Sequence, residues 1–418
     1  MTPARAGPAE RRHVVLAWEM GGGLGNVGRL VPLVRAFRAR RWRVTLVLKD
    51  PVRARAWIAD DEAALLQAPR IRVDPGLRLA ALNASSLLSE GGWLQARPLR
   101  ALLTAWSGLL GRLRPDLLLC EYAPAAKLAA RQLPGLAAFN VGASVAIPVI
   151  GDPMPPLRWW QPTAGGRDII EHCREIDDLM LSLINRVLAS LRWPALDRMA
   201  ALWPEENSLL CSIPPLDYGA RFGRPRPCWR IVENAGDRVA PPKWPLAGDE
   251  RVLVYLKGDP VRLAKILGVL SKLELCCLVV APDAPAALLE RFEGPRMRFS
   301  PPVGVAAALR ESSLVVGNGT HGVCAQALAA GVPLLMSPYV LEQRLNATAV
   351  EEVGAGLRVR DAASSHDIAE QVRRLLADAS IRQVTQQFAA ADWARRSVDE
   401  SAAALVEHCI GKCSGMAA

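Results

Sequence analysis

Apolar residues along the chain fall into short runs, separated by stretches in which they recur every three or four positions. His13–Trp18 (HVVLAW) is a compact run that fits a strand buried on both faces. A glycine-rich loop follows it, and Val27, Leu30, Val31, Val34 and Phe37 then place apolar side chains at helical spacing over Asn26–Arg41. Arg43–Leu48 (RVTLVL) is the next strand. The alternation returns with a strand at Arg70–Val73, a helix over Arg97–Leu113, a strand at Asp116–Cys120, a helix over Ala123–Gln132 and a strand at Leu136–Val141. Repeated strand–helix units need crossover connections, so they imply a parallel sheet with helices on both faces.

The texture changes between Gly151 and Pro245, where prolines are frequent and only Ile169–Leu191 has a clear helical pattern. Proline fixes φ and removes a backbone donor, so the region around Pro214–Pro245 is a poor place for regular core structure. Beyond it Arg251–Leu256, Leu275–Val280, Leu314–Val316 and Pro333–Met336 read as strands with helices between them. The expected class is α/β, as two doubly wound Rossmann-like halves facing a cleft. The expected divisions are a disordered tail (1–12), an N-terminal domain (13–235), a linker (236–248), a C-terminal domain (249–396) and a last helix with its tail (397–418), able to pack on either half.

A length of 418 residues suits two domains, and 51% hydrophobic with 22% charged residues is close to globular usage, which excludes a disordered or low-complexity chain. Trp supplies 12 of the 22 aromatic residues, large rings available for core or ligand contacts. A net charge of +10 favours anionic partners, a class that holds nucleic acids, acidic membranes and phosphorylated small molecules alike. Nine scattered cysteines without zinc or disulfide spacing suggest reduced thiols in a cytosol. The first residues lack the apolar core of a secretory signal, and no apolar run is long enough to span a bilayer. The expectation is a cytoplasmic protein.

In WEMGGGLGNVGRLVPL, Gly23, Gly25 and Gly28 satisfy the GxGxxG pattern, and Asp50 closes the second strand where a ribose-binding acid would sit. Four residues separate the first strand from Gly23, however, which is a longer loop than a dinucleotide site uses. A NAD(P) site is therefore a weak reading, and a plain strand-to-helix turn remains open beside it. A second motif favours a nucleotide sugar. Val315–Pro333 reads VVGNGTHGVCAQALAAGVP, in which small residues at a strand end bring backbone N–H groups and the positive end of a helix onto an anion such as a diphosphate. Glu342 and Gln343, a loop later, suit sugar hydroxyls, or else form a solvated helix start.

Together these segments resemble GT-B glycosyltransferases of the nucleotide-sugar-dependent class that includes bacterial macrolide and flavonoid glycosyltransferases. RLVPLVRAFRARRWRVTLVL resembles that family's opening, RLRPDLLLCEYAP resembles its RPDLVVADFAP, and the second half carries counterparts of HGGHGT, ALAAGVP, EQ, NA and GAGL. The resemblance implies an inverting, metal-independent glycosyltransferase without a resident cofactor, whose partners are a nucleoside diphosphate sugar and a small-molecule or lipid acceptor. It assigns the donor to Lys257, Gly258, Asn318, Gly319, Thr320, His321, Gly322, Glu342 and Gln343, and a loop near the acceptor to Gly23 and Gly25. The family's catalytic histidine is replaced by Asn26, which orients but cannot accept a proton. Glu121 aligns with the aspartate that partners that histidine and is the first candidate base, with Glu19 behind it. The family's diphosphate-contacting histidine aligns with Asn318. These losses keep open a second reading, a catalytically impaired protein that binds an active enzyme.

The remaining candidates are weaker. His172 lies in an acidic helix of the variable middle region and is a candidate acceptor-pocket residue, while His13, His366 and His408 read as surface positions. Arg35, Arg38, Arg40, Arg41 and Arg43 form a basic run that reads as a solvated face, with peripheral contact to an acidic membrane as its functional alternative. No nucleic-acid reader motif accompanies the charge, so nucleic acid is not an expected partner.

Overall fold

The computed structural model describes residues 11–232, 241–245 and 250–415. Most of the expected tail and of the 236–248 linker lies outside the described residues. The chain divides into two compact units, residues 1–211 with 398–418, and residues 212–397.

The first unit is built on β1 (His13–Trp18), β2 (Arg43–Leu48), β3 (Ala64–Gln67), β4 (Leu117–Glu121) and β5 (Ala137–Gly142). A two-residue hairpin, β6 (Thr163–Ala164) and β7 (Arg167–Asp168), precedes the Ile169–Leu191 helix, and β8 (Ser208–Leu210) completes the sheet. The order is β3-β2-β1-β4-β5-β8, all parallel. All six residues of β1 are buried, as a central strand covered on both faces must be. The Ala96–Leu113 helix turns Leu99, Leu102, Leu103, Trp106 and Leu110 inward at helical spacing and leaves its arginines outside.

Two expectations fail here. Arg70–Val73 is not a strand: the edge next to β2 is taken by Ala64–Gln67, paired from Thr45↔Ala64 to Leu48↔Gln67. Ile71 and Val73 instead lie over Gly92, whose φ of +79° brings its backbone so close that a Cβ there would sit 2.7 Å from Ile71 Cδ1. Their polar–apolar alternation thus reports packing on a turn. His13 is not a surface residue but is buried in β1, with Nε2 2.9 Å from Thr45 Oγ1 and Nδ1 3.0 Å from the Leu113 carbonyl.

The second unit repeats the pattern with β9 (Arg251–Tyr255), β10 (Cys276–Val280), β11 (Met297–Phe299), β12 (Leu314–Gly317), β13 (Leu334–Met336) and β14 (Gly356–Arg358). Its parallel order is β11-β10-β9-β12-β13-β14. Residues 212–232, which the sequence groups with the N-terminal half, fold with this unit. Tyr218 donates its hydroxyl to Asn346 Oδ1 at 2.6 Å, and Arg221 reaches the Ala349 carbonyl and Glu352. The Val398–Gly415 helix returns to the first unit and packs on the Gly25–Ala39 helix, with Ala402, Leu405, Val406 and Cys409 fully buried. Arg40 pairs with Glu407 there, and Lys412 donates to the Glu206 carbonyl at 2.7 Å.

In both sheets the order reverses at the centre, between β1 and β4 and between β9 and β12. In open parallel sheets, ligands bind outside the carboxyl ends of the strands at this switch point.

Candidate functional sites at the two switch points

In the first unit the loops after β1 and β4 meet at the switch point. Met20 donates its N–H to the Tyr122 carbonyl at 3.0 Å, and Lys49, at the end of β2, donates to the Gly21 carbonyl at 2.7 Å. Glu19 is half-buried and its two oxygens accept the N–H groups of Ala125 (3.0 Å) and Ala126 (2.7 Å), which open the Pro124–Ala130 helix. Burial pushes its carboxyl up to about 8, against the lowering by those two N–H groups. Gly21 has a φ of +81°, and a Cβ there would lie 2.9 Å from Asn26 Nδ2. Gly23 and Gly25 are not at positive φ, and Gly25 opens the Gly25–Ala39 helix.

The centre of this site is a buried arginine, Arg29. Its Nη2 donates to Asn26 Oδ1 at 2.7 Å and to Glu121 Oε1 at 2.9 Å, and its Nε donates to the same Glu121 oxygen at 3.2 Å. Glu121 is 0% exposed, and a Cβ on Gly142 would come within 2.8 Å of its Oε2. The residue after it, Tyr122, has a φ of +48°, a strained conformation of the kind that collects at functional sites. The expected base is therefore a buried partner of a guanidinium, and the second candidate, Glu19, caps a helix. Arg29 was not singled out from sequence. Its one signal is that it is the only charged residue between Glu19 and Arg35, on a helix whose other residues there are apolar or small apart from Asn26.

In the second unit the loops after β9 and β12 meet in the same way. Asn318 does not point outward for an anion: its Oδ1 accepts from Lys257 N at 2.8 Å, and its Nδ2 donates to the carbonyls of Lys257 and Ser337, both at 3.2 Å. It ties the ends of β9, β12 and β13 together. Gly258, at φ +99°, lies under the Tyr339 ring, while Lys257 is exposed. Gly319, at φ +82°, lets the chain pass 2.9 Å from the Gln343 carbonyl, measured from a Cβ built on it, and its own carbonyl accepts from Asn346 Nδ2 at 3.0 Å. Thr320 then opens the His321–Ala330 helix without capping it through its side chain. The N–H groups of the first turn, including His321 and Gly322, have no carbonyl within the helix. His321 is buried, with Nε2 2.8 Å from Ser212 Oγ. Gln343 is buried as well, and its Oε1 accepts the N–H groups of Tyr339 (3.0 Å) and Val340 (3.4 Å), so it supports the loop. Glu342 is half-buried beside it.

The basic run is largely occupied within the first unit. Arg35 lies 3.8 Å from Glu62, Arg40 pairs with Glu407, and Arg43 reaches His13 Nδ1 at 2.9 Å. Among the described residues no three His, Cys, Asp or Glu side chains are grouped to hold a metal ion, and no helix is long and apolar enough to cross a membrane.

Solved structures share this architecture over nearly the whole chain. The glycotransferase of kitacinnamycin matches with a TM-score of 0.69 and 18% identity, over 96% of this chain and 99% of its own. The glycosyltransferase VinC, solved in complex with dTDP, matches with a TM-score of 0.62 and 17% identity, over 96% of this chain and 100% of its own. The fold is GT-B, two parallel-sheet Rossmann-like domains. Within it, residues 270–408 match the erythromycin biosynthesis protein CIII-like, C-terminal domain. The chain is also 39% identical over 89 residues to the PGL/p-HBAD biosynthesis glycosyltransferase of Mycobacterium tuberculosis (strain ATCC 25177 / H37Ra), 21% of either chain. It is 32% identical over 154 residues to the PGL/p-HBAD biosynthesis rhamnosyltransferase of Mycobacterium bovis (strain BCG / Pasteur 1173P2), 36% of this chain and 34% of the relative. The chain thus aligns with only a fifth to a third of the length of these relatives.

Proposed function

We propose that this protein is a cytoplasmic inverting glycosyltransferase that moves a sugar from a nucleoside diphosphate donor to a small-molecule or lipid acceptor. The observation that carries the reading is the second unit's switch point. There the first turn of the His321–Ala330 helix, which the Thr320 side chain does not cap, follows the Gly319 bend, and Asn318 ties that loop to the backbone of exposed Lys257, so positive charge and N–H donors gather at adjoining strand ends. As the bond from the anomeric carbon to the diphosphate breaks, its electron pair leaves with the diphosphate, and these groups stabilise that charge without needing a metal. Glu342 is assigned to the sugar hydroxyls, with Gln343 fixing the loop. The Asn26–Arg29–Glu121 group of the first unit is assigned to the acceptor. The names of the matched relatives and the dTDP in VinC support the same class, and nothing in them favours a non-catalytic partner protein.

The test is calorimetric titration of UDP and dTDP against NAD and NADP. Binding of a nucleoside diphosphate without binding of a dinucleotide is expected. Tight NAD binding with neither diphosphate bound would overturn the reading in favour of a dinucleotide-binding protein.

A further inference from the structure

We propose that Asn26 selects an acceptor that is already an anion, a carboxylate or an ionised phenol, and that Arg29 is the positioning residue that makes it do so. The inference rests on the glycosyltransferase reading and names its acceptor class. A guanidinium carries only donors, so the Asn26 atom 2.7 Å from Arg29 Nη2 is the oxygen. The amide nitrogen then lies on the other side, over Gly21, with only a long 3.5 Å contact to the Gly23 carbonyl. Turning the amide over would set its NH2 against the guanidinium, two donors with no acceptor between them. Glu121 holds Arg29 in this position through two hydrogen bonds to one buried oxygen.

A group arriving at half-buried Asn26 therefore meets N–H hydrogens and must bring lone pairs. Neither nearby carboxylate faces it as a base, since Glu19 accepts from Ala125 and Ala126 and Glu121 is enclosed behind Arg29. An anionic oxygen meets both conditions. It forms its bond to the anomeric carbon as the diphosphate departs with the electron pair of the broken bond, and no proton has to be removed.

The experiment titrates the full chain, saturated with whichever of UDP or dTDP binds, with 4-nitrobenzoate and with the neutral 4-nitrobenzyl alcohol at one pH. The wild type should prefer the carboxylate by about tenfold or more, the scale of a charge-assisted hydrogen bond. Asn26→Ala should erase the preference and Asn26→Asp should reverse it. Arg29→Lys should keep it. Arg29→Met, combined with Glu121→Leu so that no lone charge is buried, should free the amide and raise the alcohol's affinity relative to the carboxylate's. Each readout is a ratio within one variant, so a general loss of stability does not move it. Equal affinity for the two probes, no binding of the carboxylate, or a preference unchanged in both Asn26 variants would overturn the proposal. If neither diphosphate binds, the functional reading fails and this inference with it; if one binds and the preference is absent, only this inference fails.

Discussion

Arg29 and Glu121 show how one buried ion pair shapes its surroundings. Both are out of water, and Glu121 is fully so, so removing one charge leaves the other unpaired in a low dielectric. Glu121→Gln should therefore lower the unfolding free energy by about 3 kcal/mol, measured by denaturant titration, and the apolar double variant Arg29→Met with Glu121→Leu should recover much of that. Gly21→Ala should cost about 1–3 kcal/mol from its positive φ alone, and its new methyl would displace the Asn26 amide. Turnover should fall while UDP or dTDP affinity stays unchanged. Asn26 drew attention in the sequence only through the resemblance, as the residue that stands where the family has its histidine. Arg29 drew none, because helical spacing assigns residues to faces but does not say that a charge on the covered face has a partner 92 positions away.

Loops between elements carry most of what the helices and strands hold in place. Glu19 links β1 to the helix after β4, and its carboxyl, raised from 4.5 to about 8 by burial, binds its proton more tightly folded than unfolded. Its contribution to stability is complete below about 4.5 and is lost as pH rises toward 8, so the denaturation midpoint should fall across that window and Glu19→Gln should flatten the fall. Gln343 closes the turn before the Leu341–Glu352 helix, so Gln343→Ala should weaken UDP and UDP-glucose binding to the same extent in calorimetry. A loss confined to the sugar nucleotide would return Gln343 to the role that its sequence neighbourhood suggests. The central strands were readable to within a residue because their middles are unbroken apolar runs. β3 was missed because a four-residue edge strand of Ala, Leu and Gln has neither β-branching nor full burial to mark it.

At the scale of the whole chain, the two-unit plan was visible in the alternation of strands and helices, whereas the path between the units was not. Proline-rich sequence hides which side a segment serves, and only contacts such as Ser212 with His321 and Tyr218 with Asn346 assign residues 212–232 to the second unit. The Val398–Gly415 helix was equally undecided, since an apolar helical stripe fits any apolar groove. Its Leu405 and Val406 are fully buried in the first unit, each worth about 1.5–3 kcal/mol. Removing residues 398–418 should therefore lower the first unit's melting temperature sharply, while calorimetry still detects a nucleoside diphosphate on the second.

The return of that helix also sets an order of events at the ribosome. The first unit's sheet emerges early, but the surface of Gly25–Ala39 that the helix covers stays bare until nearly two hundred further residues have been synthesised. The second unit's own elements are all translated before that last helix, so it can close on itself first. A newly made chain must therefore keep that surface of the Gly25–Ala39 helix shielded through the interval, and the finished first unit certifies that translation has run through residue 398 and beyond.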